Sequence, residues 1–201
     1  MNFLAHLYLA GDDIDLIVGN FIADFVKGKA VKNYSEGVQQ GIRMHRLIDM
    51  FTDSHPLIEN GKVALRPQFR KFSGVVMDVF GDHFLAANWS KYSTIPLYEF
   101  TLRMYQLLAE NESVLPERSL LTLKYMSKQN WLFNYQYLEG IRKALTGLSN
   151  RSSFESSMET AHLELNRNYY FYQNIFDEYL PELIKFVDRD KKNEFYKLGL
   201  N

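Results

Sequence analysis

The chain has 201 residues, 46% hydrophobic and 15% aromatic, enough to bury a sizeable core as one globular domain over residues 1–201. Its 23 basic and 24 acidic residues leave a net charge of -1, so no global field draws it to nucleic acid or to an anionic membrane, and a charged partner must be met by a local patch. Cysteine is absent, which excludes disulfides, thiolate metal sites and a cysteine nucleophile and leaves oxygen and nitrogen as metal ligands.

Apolar residues recur at three- and four-residue steps between few prolines and glycines, which predicts an all-α fold, a single-domain multi-helix bundle. A first helix covers Asn2 to Ala10. Gly11-Asp12-Asp13 then gives a turn and an N-cap for a second helix that ends near Val26, closed by Lys27-Gly28-Lys29. A third runs from about Ser35 to Thr52 or Asp53 and ends before Pro56, because the residue before a proline is pushed out of the α region. The pattern predicts further helices at Gly61 to Phe72, with a break or kink at Pro67, at Val75 to Trp89 and at Ser93 to Glu110. Others follow from Pro116, in a first turn, to about Ser127, then at Trp131 to Leu145, at Ser153 to Tyr179 and after Pro181, with the last dozen residues a solvated end. The apolar start lacks a basic leader and no stretch approaches 18 apolar residues, so a soluble, cytoplasmic protein is expected.

The fifth predicted helix carries the clearest chemical signal. Between Lys71 and Lys91 its ionisable residues are Asp78, Asp82 and His83, in an otherwise apolar, small or amide setting. Val75, Leu85 and Trp89 flank the Asp78/Asp82 stripe, so these carboxylates are expected to be largely buried. Buried carboxylates need a cation, a shared proton or a partner from another helix; a divalent metal suits a mixed carboxylate and imidazole set, while a cap or an arginine pair is the structural alternative. The third helix places His45, Asp49 and Asp53 on one side with Arg46 close by, which reads as a solvated face or, given the absence of Lys and Glu between Glu36 and Glu59, as a cleft wall. Asp24 follows Phe21-Ile22-Ala23, one turn after Asn20, and His6 lies in Phe3-Leu4-Ala5-His6-Leu7-Tyr8, a setting more typical of a core histidine than of a ligand. His55 and His162 read as structural.

Four segments, Met1 to Leu7, Gly19-Asn20 with Ala23 to Val26, Met44 to Asp49 with Thr52-Asp53, and Asp82 to Leu85, resemble those of the acyl carrier protein phosphodiesterases. Trp89-Ser90, Trp131 and Tyr135 are weaker echoes. The resemblance implies removal of 4'-phosphopantetheine from holo-acyl carrier protein, a fold distantly like the HD metal-dependent phosphohydrolases, and dependence on a divalent metal, typically manganese. No His-Asp dipeptide is present, so the HD pattern is departed from. Carried over by motif position, Asp24, His45, Asp49, Asp82 and His83 are candidate ligands or acid–base groups, joined from the residue-level reading by His6, Asp53 and Asp78. Arg46 or Arg43 would bind a phosphoryl oxygen. Arg43, Arg66, Arg70 and Lys71 would meet the acidic carrier protein, or else be solvated charges. The rival readings are an HD-like hydrolase of a nucleotide or other small phosphate ester, and a non-catalytic helical binding module using Trp131-Leu132-Phe133 and Tyr169 to Tyr172, residues that are more often core.

Overall fold

A computed structural model describes residues 2–192, with side chains to residue 191, and the regular structure among them is all helical, with no strand. The helices are α1 (Phe3–Ala10), α2 (Ile14–Ile22), α3 (Glu36–Ser54), α4 (Pro56–Phe69), α5 (Ser73–Ala87), α6 (Leu97–Glu110), α7 (Glu117–Gln129), α8 (Trp131–Asn134), α9 (Leu138–Arg151), α10 (Ala161–Arg167) and α11 (Tyr169–Lys192). A continuous apolar cluster runs from Leu4 to Val187. No described helix is long and apolar enough to cross a membrane.

Local chemistry explains the early boundaries. Asp13 is the N-cap of α2, its Oδ1 accepting from the Leu16 N–H at 3.0 Å, and Ser35 does the same for α3 at Val38. The last turn of the second predicted helix tightens into a 3₁₀ turn, Ala23–Phe25, which carries Asp24. Elsewhere the boundaries move. Pro56 opens α4 at its first helical position instead of merely ending α3, so α4 begins five residues before the expected Gly61. It runs through Pro67 and stops at Phe69, where Arg70 takes a positive φ of 48°. Pro96 holds Ile95 out of the α region and delays α6 to Leu97, and Pro116 is the N-cap of α7 instead of lying in its first turn. The helix expected over Trp131 to Leu145 is two, α8 and α9, joined at Tyr135 to Tyr137. The one expected over Ser153 to Tyr179 is α10 and α11, which meet at Asn168. α11 continues through Pro181, which is exposed. Most of the lysine-rich end, from residue 193, lies outside the described residues.

The crossing of α2 and α3 positions the candidate site. Gly19 and Gly41 face each other so closely that a Cβ at Gly41 would lie 2.8 Å from Gly19 Cα and 2.7 Å from the Leu16 carbonyl oxygen. One residue beyond Gly19 is Asn20, and one turn beyond Gly41 is His45, so this backbone contact brings the two together. Gly41→Ala must therefore push whole helices apart and is expected to cost about 1–3 kcal/mol, as overpacked cores do. Gly147→Ala on α9, where an added Cβ meets nothing within 4 Å, should instead gain about 0.5–1 kcal/mol. Thermal unfolding of the pair, with melting temperatures moving in opposite directions, checks both.

Candidate metal centre

α1, α2 and α3 bring His6, Asn20, His45 and Asp49 to one place. Asn20 is 1% exposed and organises both histidines. Its Nδ2 donates to the Leu16 carbonyl at 3.0 Å, which fixes the amide so that Oδ1 faces His6 Nδ1 at 3.3 Å. Its backbone carbonyl accepts from His45 Nδ1 at 2.9 Å. Since both Asn20 oxygens are acceptors, both Nδ1 atoms carry hydrogen, and each ring turns its Nε2 away from Asn20 toward Asp49. This is how histidines are held when a neighbouring group sets the tautomer for metal ligation. The rings stack, with centroids 3.8 Å apart and 14° between planes.

Asp49 faces both rings. Its Oδ2 is 3.1 Å from His45 Nε2 and its Oδ1 is 3.2 Å from His6 Nε2. The second contact is off line for a hydrogen bond, and His6 Nε2 is a buried polar atom with no hydrogen-bond partner. Asp24 adds a carboxylate oxygen 3.3 Å from His45 Nε2. Among the described residues, His6, His45 and Asp49 are the group whose ligand atoms lie close enough together, within 4.8 Å, to share one ion. An orphaned buried imidazole nitrogen, a second one facing two carboxylates and tautomers fixed from behind fit an oxygen- and nitrogen-binding divalent cation.

The electrostatics without an ion are consistent with that fit. Burial, together with the neighbouring His45, pushes His6 down to about 4, so it is neutral. Burial would also lower His45, but its bonds to Asp24 and Asp49 lift it to about 9, so a proton occupies His45 Nε2 at neutral pH. Burial would raise Asp49, and the two rings more than reverse this, holding its carboxyl well below the usual range. The bond from His45 likewise lowers Asp24.

The three ionisable residues of α5 go to three different places. Asp78, raised by burial, lines an acidic cavity of about 180 Å³ with Asp24, His45, Asp49, Thr52 and Asp53. Asp82 is 0% exposed and turns away to α1, accepting from the Leu4 N–H at 2.8 Å and the Ala5 N–H at 3.1 Å. Those are free donors of the first turn of α1, whose own N-cap, Asn2, makes no side-chain cap bond. The positive end of α1 thus supplies part of the compensation for which a metal was expected. His83 Nδ1 donates to the Tyr135 carbonyl at 2.8 Å and its Nε2 meets the Tyr169 hydroxyl at 3.1 Å. Neither Asp82 nor His83 joins the His6, His45 and Asp49 group.

The basic candidates also disperse. Arg46 donates to the Val26 carbonyl at 3.2 Å and ties down the turn that carries Asp24. Arg66 pairs with Glu59 at 2.6 Å. Lys71 lies over the Phe154 ring, 3.3 Å from its centroid, in a surface cavity that it shares with Arg70. Arg43 is half-buried on α3. Of the two histidines read as structural, His55 pairs with Glu182 and His162 donates to the Glu159 carbonyl. Leu132 and Tyr172 of the aromatic segments are buried in the core. Two residues missed by the sequence reading, Arg118 of α7 and Arg151 of α9, line a groove of about 560 Å³ that includes Asp24 and Asp78.

No solved structure matches the chain. The sequence pattern of the family described as acyl carrier protein phosphodiesterase matches residues 1–183. Similar proteins carry the same name: one from Photorhabdus laumondii is 31% identical over 98% of this chain and 99% of its own length. One from an Enterobacter species is 32% identical over 92% and 96%, and one from Escherichia coli is 30% identical over 94% and 98%. The match spans the elements that build the His6, Asn20, His45 and Asp49 cluster, and the chain belongs to the acyl carrier protein phosphodiesterase family.

Proposed function

We propose that this protein, acting as a single all-α domain in the cytoplasm, hydrolyses the phosphodiester that joins 4'-phosphopantetheine to a serine of holo-acyl carrier protein. The family supports the reaction and the protein substrate. The observation that carries the chemistry is the pair of Nε2 atoms of His6 and His45, set by Asn20 and faced by Asp49. His6, His45 and Asp49 would hold a divalent cation, manganese by resemblance. When bound, such an ion lowers the pKa of water and offsets charge on phosphoryl oxygens.

Two carboxylates, Asp24 and Asp78, line the cavity beside this group and can divide the acid and base work. Asp24 is open to solvent on this cavity and is placed to take a proton from the attacking water. Asp78 lines the same cavity and is placed to return a proton to the departing serine oxygen. A histidine of the cluster is the alternative donor of that proton. Asp78 fits better, because His6 is held neutral and His45 faces two carboxylates.

The test is to incubate holo-acyl carrier protein with the enzyme in manganese and in chelator and to weigh the carrier protein. Loss of the phosphopantetheine mass in manganese alone is expected; an unchanged mass in both would overturn the reading, and nucleotide hydrolysis in its place would favour the small-ester alternative. Cation binding has its own signature. Manganese at about 100 times its Kd should raise stability by about 2.7 kcal/mol. Because His45 holds its proton up to about pH 9, binding near pH 7.5 should also release about one proton, read by calorimetry in buffers of different ionisation enthalpy. Neither stabilisation nor proton release would leave the binding-module reading in its place.

A further inference from the structure

The groove beside the acidic cavity is unexplained by the hydrolytic group alone. Asp24 and Asp78 line both spaces, so the groove opens from the place where the phosphorus would be attacked. Its volume, about 560 Å³, is within the range of roughly 300–1,000 Å³ typical of small-ligand sites. Its walls combine apolar surface from Phe3, Leu121, Tyr125 and Trp131 with two cationic donors, Arg118 and Arg151. Leu121 and Tyr125 are 55% and 49% exposed, an apolar strip open to solvent. Both arginines are exposed, and their side chains make no ion pair with a described residue although Asp24 and Asp78 line the same groove.

We infer that this groove is the binding site for the pantetheine arm of the substrate, with Arg118 and Arg151 as its hydrogen-bond donors. The inference rests on the phosphodiesterase reading for the identity of the ligand. The scissile phosphate lies at the carrier-protein end of the arm, so once the phosphorus is at the acidic cavity, the rest of the arm must run away from it along a connected surface. The arm is neutral, with two amide carbonyls and a hydroxyl as acceptors between methyl and methylene groups. That alternation matches guanidinium donors set among apolar and aromatic walls. A bare hydrocarbon chain matches less well, because it would strip water from Arg118 and Arg151 without replacing their hydrogen bonds.

Trp131 lines the groove while the other tryptophan, Trp89, is buried away from it, so tryptophan emission reads occupancy without turnover. The full chain is titrated with pantetheine in chelator; this probe lacks the phosphate that the unneutralised aspartates would repel. A saturable change in emission is expected, and the R118A/R151A variant should bind about tenfold more weakly, a loss of about 1.4 kcal/mol. The variant's melting temperature should stay within a degree of the parent's, since both side chains are exposed and unpaired. With holo-acyl carrier protein, R118A/R151A should raise KM more than it lowers kcat. No response to pantetheine, or a response to adenosine monophosphate or a fatty acid but not to pantetheine, overturns the inference. Failure of the phosphodiesterase reading shows separately, as an unchanged carrier-protein mass whatever the emission does.

Discussion

Asp49→Asn is expected to lower turnover about 1,000-fold or more while moving the melting temperature by only a few degrees. Asp49 is half-exposed and reaches His6 with one oxygen and His45 with the other. An amide keeps the shape but removes the negative charge that both rings face, and groups acting directly on the reacting centre contribute about 10²–10⁴-fold each. Asn20→Ala should behave differently, because Asn20 lies behind the rings and acts through them. Its amide oxygen sets the tautomer of His6, while its backbone carbonyl, which sets that of His45, survives the substitution. The variant should therefore weaken manganese affinity about 10–100-fold, the usual cost of losing an orienting group, with kcat largely recovered at high manganese. His83→Gln should change turnover less than threefold, since His83 bonds to Tyr135 and Tyr169 away from the cluster. Activation curves against manganese concentration for the three variants separate these roles. A 1,000-fold loss in His83→Gln with Asp49→Asn near normal would move the centre to α5.

The pattern of success along the chain follows the range of the interactions involved. Asp13 and Ser35 were legible as helix starts because a cap acts on backbone three residues away. The breaks after α8 and α10 were not, because the apolar period continues across them and the chain bends for packing reasons that the local sequence does not carry. His45 and Asp49 were legible as a pair because one helix turn separates them. His6 ranked lowest, since its local setting is that of a core residue. What makes it a candidate ligand is Asn20, 14 residues on, and Asp49, 43 residues on, meeting it through the Gly19 and Gly41 crossing. Arg118 and Arg151 carry no local mark at all; only the approach of α7 and α9 to α1 and α5 places them beside Asp24.

Asp82 reverses the ranking made from sequence, and its substitution has the second large expected effect. Asp82→Ala should destabilise the protein by about 3 kcal/mol, because it leaves the Leu4 and Ala5 N–H groups buried without acceptors at about 1–3 kcal/mol each. The apolar face of α1 is packed in the core, but its two ends depend on distant side chains. α1 has eight residues and no cap from Asn2, and its far end is tied by a second distant side chain, Lys191, which donates to the Leu9 and Ala10 carbonyls. The pH dependence has a definite sign. Burial lifts Asp82 to about 7, partly opposed by the two N–H bonds, so the folded protein holds this proton more tightly than the unfolded chain does. The contribution of Asp82 to stability is then greatest below about pH 4, falls as pH rises toward 7 and is level above it, so the margin of the parent over Asp82→Ala should narrow across that window. Because α1 carries His6, the variant should also bind manganese more weakly, but in proportion to its lost stability. Chemical denaturation at pH 4.5 and pH 8, alongside manganese titrations, decides the matter: intact stability with abolished metal binding would make Asp82 a ligand after all, whereas the loss of both together identifies it as the remote cap that keeps His6 in place.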